Sequence, residues 1–135
     1  MSAVAIRAAI ESTLNGMSPS LATAWENVPY EPVPGTPWQE VFLLHATPRP
    51  LELSGKWHDE VGVLQVNLHY PLNTGPAAAE TRAELVRSNF KHGSEHTASG
   101  TTVRVTNVPS LSRLDDDDWY SLAVSIPFSA FILRS

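Results

Sequence analysis

Two stretches of this chain alternate apolar and polar residues with the period of a half-buried β-strand, and the rest of the molecule has to be arranged around them. In the first, Leu64, Val66, Leu68 and Tyr70 fall on one side and Gln65, Asn67 and His69 on the other. In the second, Leu122, Val124, Ile126 and Phe128 alternate with Ser121, Ala123, Ser125 and Ser129. A strand with one apolar face needs a second layer to cover it.

Two helical patterns can supply that layer. Ile6, Ile10, Leu14 and Met17 form one stripe of a 3.6-residue period, with Ser2 placed to cap the start and Gly16 to end it. Pro76 suits a first helical position, and a second helix is expected over Ala77 to Phe90. Its stripe is Ala79, Ala83, Val86 and Phe90, flanked by Leu85. Glu80 early and Arg87, Lys91 and His92 late suit the helix dipole, and Gly93 is the expected stop.

Between these elements the chain reads as shorter strands and shaped loops. A short strand is expected around Thr23–Asn27, followed by an extended arm at about 25–38, in which Pro29, Pro32, Pro34 and Pro37 deny helix and ladder donors. Val41 to Leu44 is a continuous apolar run, expected as a strand buried on both faces. A long strand follows over Trp57 to Tyr70. Its first half carries Val61 and Val63 in the opposite phase, which calls for a bulge near Gly62 or a β arm buried on its other face. Val103 and Val105 mark another strand, Asp115 to Asp118 a polar turn, and Pro127 places the end of the last strand at a sheet edge or bulge. The order α, β, β, β, α, β, β points to one α+β domain spanning residues 1–135. It is a two-layer sandwich, with both helices on one face of a mainly antiparallel or mixed sheet.

Composition narrows the function. With 14 acidic and 9 basic residues the net charge is −5, and no basic run offers a grip on a phosphate backbone. Without cysteine there is neither disulfide nor thiolate metal site. The first residues lack the pattern of a signal peptide, and no apolar run reaches the ~18 residues of a membrane span. The chain is therefore expected in the cytosol, or in a particle assembled there, with no membrane partner.

The search for chemistry finds no catalytic residue. His45, His58 and His69, with Asp59, are the candidates for a metal-dependent enzyme, but no close-spaced ligand motif joins them and they read as polar strand positions. His92 and His96 flank a Gly-Ser turn and are expected to be exposed. Asp115, Asp116, Asp117 and Asp118 repel one another, which a divalent cation would relieve, best at a site shared between subunits. The run lacks the spacing of a calcium loop. Trp25, Trp38, Trp57 and Trp119 are not interleaved with basic residues, so they read as packing and subunit contacts rather than nucleic-acid platforms.

Three stretches together resemble a known family: AWENVPYEPVPGTPWQEVFLL (24–44), EVGVLQVNLHYPLNTGPAAAETRAELVRSNF (60–90) and WYSLAVSIPFSAFI (119–132). Their order and spacing are similar to those of the tail terminator proteins of long, non-contractile-tailed, lambda-like phages. The resemblance implies a non-enzymatic virion protein, assembled in the host cytoplasm and placed at the head-proximal end of the tail. It implies a six-membered ring that binds the last ring of tail tube protein, stops tube growth and presents a surface to the head–tail connector or head completion protein. DNA would pass through the lumen unbound, and Mg2+ would favour assembly. A ring needs two different surfaces on each subunit. The arm either packs as a surface loop on its own domain or lies on a neighbouring subunit. On the second reading the expected contact is Trp25, Tyr30, Val33 and Trp38, together with Trp57 and His58 at the hairpin end near Leu53–Glu60. The alternatives are a neighbouring neck or tail completion protein and, more distantly, a small enzyme built on the three histidines.

Overall fold

A computed structural model describes residues 2–46, 49–50 and 57–133. Its elements run α1 (Ser2–Asn15), β1 (Ala22–Ala24), β2 (Trp38–His45), β3 (Arg49–Pro50), β4 (Trp57–Pro71), α2 (Ala77–Asn89), β5 (Glu95–Ala98), β6 (Thr101–Val105), β7 (Ser110–Leu114) and β8 (Trp119–Leu133). The two alternating segments are the 15-residue strands β4 and β8, and they pair with each other. Their antiparallel ladder runs without a break in register from Trp57 opposite Leu133 to Pro71 opposite Trp119. Residues opposite one another share a face. Leu64 with Ile126, Val66 with Val124 and Leu68 with Leu122 therefore make one apolar surface.

Around this pair the eight-stranded sheet takes the order β1-β2-β4-β8-β6-β5, with β3 added to β4 and β7 to β8. Only the β1–β2 pairing is parallel among the described strands, so the sheet is mixed and mainly antiparallel. Both helices cover its concave face. Ile6, Ile10, Leu14 and Met17 of the α1 stripe join one core with Ala79, Ala83, Val86 and Phe90. Val41 and Leu43 of β2 and Val103 and Val105 of β6 complete it. The sheet curls around α1: Arg7, Ile10 and Glu11 lie beside Val41, Leu43 and Leu64, while Thr13 reaches His96 on β5. Each fully buried Leu, Ile, Val or Phe adds ~1.5–3 kcal/mol, so the shared stripe is the main stabilising term.

Five expectations are corrected. β2 is not buried on both faces, because Leu44 is 50% exposed and Phe42 half-buried on the side away from the helices. No bulge interrupts β4; Gly62 instead occupies the inward phase, and Phe128 lies over the space a side chain would take. Pro127 is not at an edge. Its carbonyl accepts the Thr106 N–H (3.0 Å), and a strand residue's nitrogen and oxygen face the same side. The absent donor thus falls where β8 passes from β6 to β7, between Val105–Phe128 and Ser110–Ser125. His96 is half-buried against Phe90, its Nδ1 2.9 Å from Thr13 Oγ1 and its Nε2 3.1 Å from Ser94 Oγ. Finally, the sheet has three strands beyond the five expected: β3, β5 and β7. β5 and β6 form a hairpin whose two-residue turn, Ser99 (φ 51°) and Gly100 (φ 76°), is the left-handed type that matches strand twist. The proposed Ser2 side-chain cap lies outside the described side chains.

Two outcomes are expected. A Cβ at position 62 would stand 2.9 Å from the Phe128 ring and closer still to the Leu44 carbonyl, so Gly62→Ala should lose about 1–3 kcal/mol in chemical denaturation. Burial holds the His96 imidazole below its ordinary value of 6.5. A base with a depressed folded-state pKa adds stability that is complete above the unfolded value and is lost as pH falls toward the folded one. Denaturation midpoints should therefore decline as pH drops through about 6.5, and His96→Phe should flatten that part of the profile.

Candidate assembly surface

The face of the sheet turned away from the helices carries no covering layer of secondary structure among the described elements. Register lines its residues up across β2, β4 and β8 as Trp38–His69–Ser121, Glu40–Asn67–Ala123, Phe42–Gln65–Ser125 and Leu44–Val63–Pro127. One end of this face is therefore aromatic and polar, and the other is aliphatic.

The arm folds over the polar end. Val28 N–H donates to the Trp25 carbonyl (3.1 Å), and Asn27 takes a left-handed φ of 61°. Pro34 and Gly35 (φ 79°) then form the centre of a turn closed by Thr36 N–H on the Val33 carbonyl (3.1 Å). These bends bring Tyr30 over Trp38, ring centroids 5.2 Å apart, and Trp38 lies over His69 at 4.3 Å. Trp119 meets Trp38 edge-on at 6.1 Å. His69, buried beneath Trp38, donates from Nε2 to Glu40 (2.7 Å), and its Nδ1 is 2.6 Å from Ser121 Oγ. Gln65 donates to Asn67 Oδ1 (2.9 Å), which extends the polar chain along β4. Ser121, His69 and Glu40 have the composition of a nucleophilic triad, but Ser121 is 1% exposed and Trp38 covers the imidazole. A substrate carbonyl has no path to that hydroxyl in this arrangement, and the cluster acts as a clamp between β2, β4 and β8.

The residues nominated from sequence are only partly gathered. Tyr30 and Trp38 share the stack, Trp38 buried and Tyr30 half-buried. Val33 stands at the arm's turn, 55% exposed. Trp25 packs against the core. His58 is half-buried with its Nε2 2.9 Å from Glu60, eleven residues and thus ~36 Å along β4 from His69. The Trp57 side chain and residues 53–56 lie outside the described part. His45, His58 and His69 do not converge, and among the described residues no three His, Asp or Glu side chains gather to hold a metal. Asp115 to Asp118 are exposed; Asp116 accepts the Asp118 N–H (2.9 Å) and the Ser121 hydroxyl (3.4 Å), which ties the turn back to the sheet.

Two features escaped the sequence reading. Glu26 accepts the Leu43 N–H (2.9 Å) and meets Arg7 (3.2 Å), so a carboxylate closes the edge of β2 beyond the short β1. That backbone hydrogen bond, followed by Arg7, holds the Glu26 carboxyl below its ordinary value. The second is the open end of the bare face, where exposed Leu44 stands beside half-buried Phe42, Val63 and Pro127. The -V-F-L-L- run had signalled both faces of β2 as apolar, but not that one of them stays uncovered.

A family model described as phage tail terminator protein matches residues 5–128. A search of curated proteins finds no match. Among solved structures, one is similar over 99% of this chain and 96% of its own, with a TM-score of 0.75 at 20% identity, a likeness of fold.

The stack separates two roles. Trp38→Ala should cost the monomer about 3–5 kcal/mol in denaturation, because it empties a buried site and uncovers His69. Tyr30→Ala should cost only about 0.5–1.5 kcal/mol, as the outermost ring of the stack.

Proposed function

As the chain belongs to the phage tail terminator family, we propose that it assembles head to tail into a ring, with six subunits, that caps the tail tube and ends its growth. The same ring offers the surface to which the connector of the filled head attaches. The observation that carries this reading is the family match across residues 5–128. A sheet face left bare, with Leu44 and the arm's Val33 each about half exposed or more, supports it as a place for one subunit to meet the next. The subunit contact proposed here combines that open end of the face with the tip of the arm. Trp38 and Tyr30 hold the arm in place.

The protein does its work by contact rather than by turnover in this reading. A net charge of −5 suits a passage that DNA must traverse without adhering. Magnesium is the proposed aid to assembly, bridging the Asp115–Asp118 turns to carboxylates of adjacent subunits. Among the described residues no helix is long and apolar enough to cross a membrane.

Electron microscopy of the purified protein with and without magnesium should show closed rings, more of them with the ion. Phage lacking the protein should build overlong tails; headless tails of normal length would instead assign it to a neighbouring joining layer. Leu44→Asp should reduce rings at least tenfold while leaving stability within about 0.5 kcal/mol, since the side chain is half exposed in the single chain.

A further inference from the structure

A groove of about 750 Å3 separates α2 from the Ser18–Leu21 loop, on the helix side of the sheet and opposite the face that carries the aromatic stack. Pro19, Leu21, Ala78 and Leu85 make its walls apolar, and Tyr70 and Arg82 lie among them. Arg82 is 5% exposed. Its Nη1 donates to the Pro19 carbonyl, while Nε and Nη2 are buried with no partner. No carboxylate pairs with it among the described residues; its titratable neighbour is the Tyr70 hydroxyl. Burial pushes the guanidinium below its ordinary value, yet arginine keeps its proton, so the groove holds an uncompensated cation. Such a group calls for an anion that can follow it out of water, and a guanidinium edge with two free donors matches one carboxylate. Aliphatic walls ask for aliphatic neighbours on that carboxylate, and Glu84 at the rim disfavours a polyanion.

A carboxylate between two leucines occurs once in the chain, where Glu52 stands between Leu51 and Leu53; Glu84, between Ala83 and Leu85, already belongs to the groove's own lining. This segment connects β3 to the start of β4, whereas Tyr70 is near the end of β4. The thirteen steps from Trp57 to Tyr70 span ~43 Å, and the five residues from Glu52 to Trp57 reach at most ~18 Å. The segment cannot enter its own groove. We propose that the Arg82 groove receives Glu52 of a second copy, with Leu51 and Leu53 against the apolar walls. A groove at one end of β4 and its ligand at the other form the two unlike surfaces that head-to-tail closure needs. The choice of partner rests on the ring reading given above; the affinity of the groove for a carboxylate does not.

The test uses an acetylated, amidated peptide of residues 49–55, Arg-Pro-Leu-Glu-Leu-Ser-Gly, and its counterpart with glutamine in place of Glu52. Titrated into the labelled full chain, the first should shift the Arg82 Nε–H and the Leu85 amide resonances saturably, and the second should bind at least tenfold more weakly. Ala78→Glu places a carboxylate one turn before Arg82 on α2, at the groove wall, and should satisfy the guanidinium in cis. That variant should melt no lower than the parent and lose the peptide. In the intact protein, Glu52→Gln and Ala78→Glu should each reduce ring yield at least tenfold. Equal binding of the two peptides, no binding of either, peptide retained by Ala78→Glu, or rings formed by Glu52→Gln at the parental level would each overturn the inference. A parent that forms no rings would count against the assembly reading instead, and the peptide titration would still decide the groove.

Discussion

The uninterrupted ladder between β4 and β8 is the constraint on which the rest of the molecule depends. Because it keeps one register from end to end, it decides for every residue of two 15-residue strands whether that residue meets the helices or the outside. A slip of one position would turn Leu64, Val66 and Leu68 outward together and expose His69 and Asn67 to the apolar core. Two residues that look hostile to a central strand are accommodated without breaking the register. Gly62 leaves room for the Phe128 ring, and Pro127 turns its missing donor toward the place where β6 yields to β7. Flanking strands and both helices are then positioned by what the ladder presents to them.

The outward side shows the same ladder organising polar groups. His69 sits between Glu40 of β2 and Ser121 of β8 because register puts all three in adjacent rows. Burying that imidazole requires partners at both nitrogens and a cover over its face, and the arm supplies the cover through Trp38 and Tyr30. The proline-rich segment is thus anchored at its aromatic residues and free at Val33. In the proposed ring, a rigid base with an exposed tip reaches a neighbour without ordering a long loop at the moment of contact.

The elements with strong periodicity were readable from the residues, and so was the way they pack. The stripes Ile6–Ile10–Leu14–Met17 and Ala79–Ala83–Val86–Phe90 are the helix faces that enter the core. β5 and β7 were not, for a physical reason: Glu95–Ala98 and Ser110–Leu114 bury little and show no apolar alternation, so only pairing with a longer strand defines them. His96 looked like a loop residue because its burial comes from the curl of the sheet toward α1, a property no local window contains. The phase change at Val61 and Val63 was visible, but its meaning depended on how the outer face is covered. The aromatic residues of the arm stood out in sequence; the stacking that turns them inward depended on His69, thirty-one positions beyond Trp38.

The carboxylate of Glu26 on the Leu43 N–H has a kinetic consequence. A sheet border with vacant donors is a template on which a stray strand can zip up one residue at a time, and such growth is hard to reverse. With the donor beyond β1 already occupied, a colliding copy finds no ready rung at that point and must hold on through side chains. Contacts of that kind form and release quickly, so misdocked copies can separate and try again before an arrangement becomes permanent.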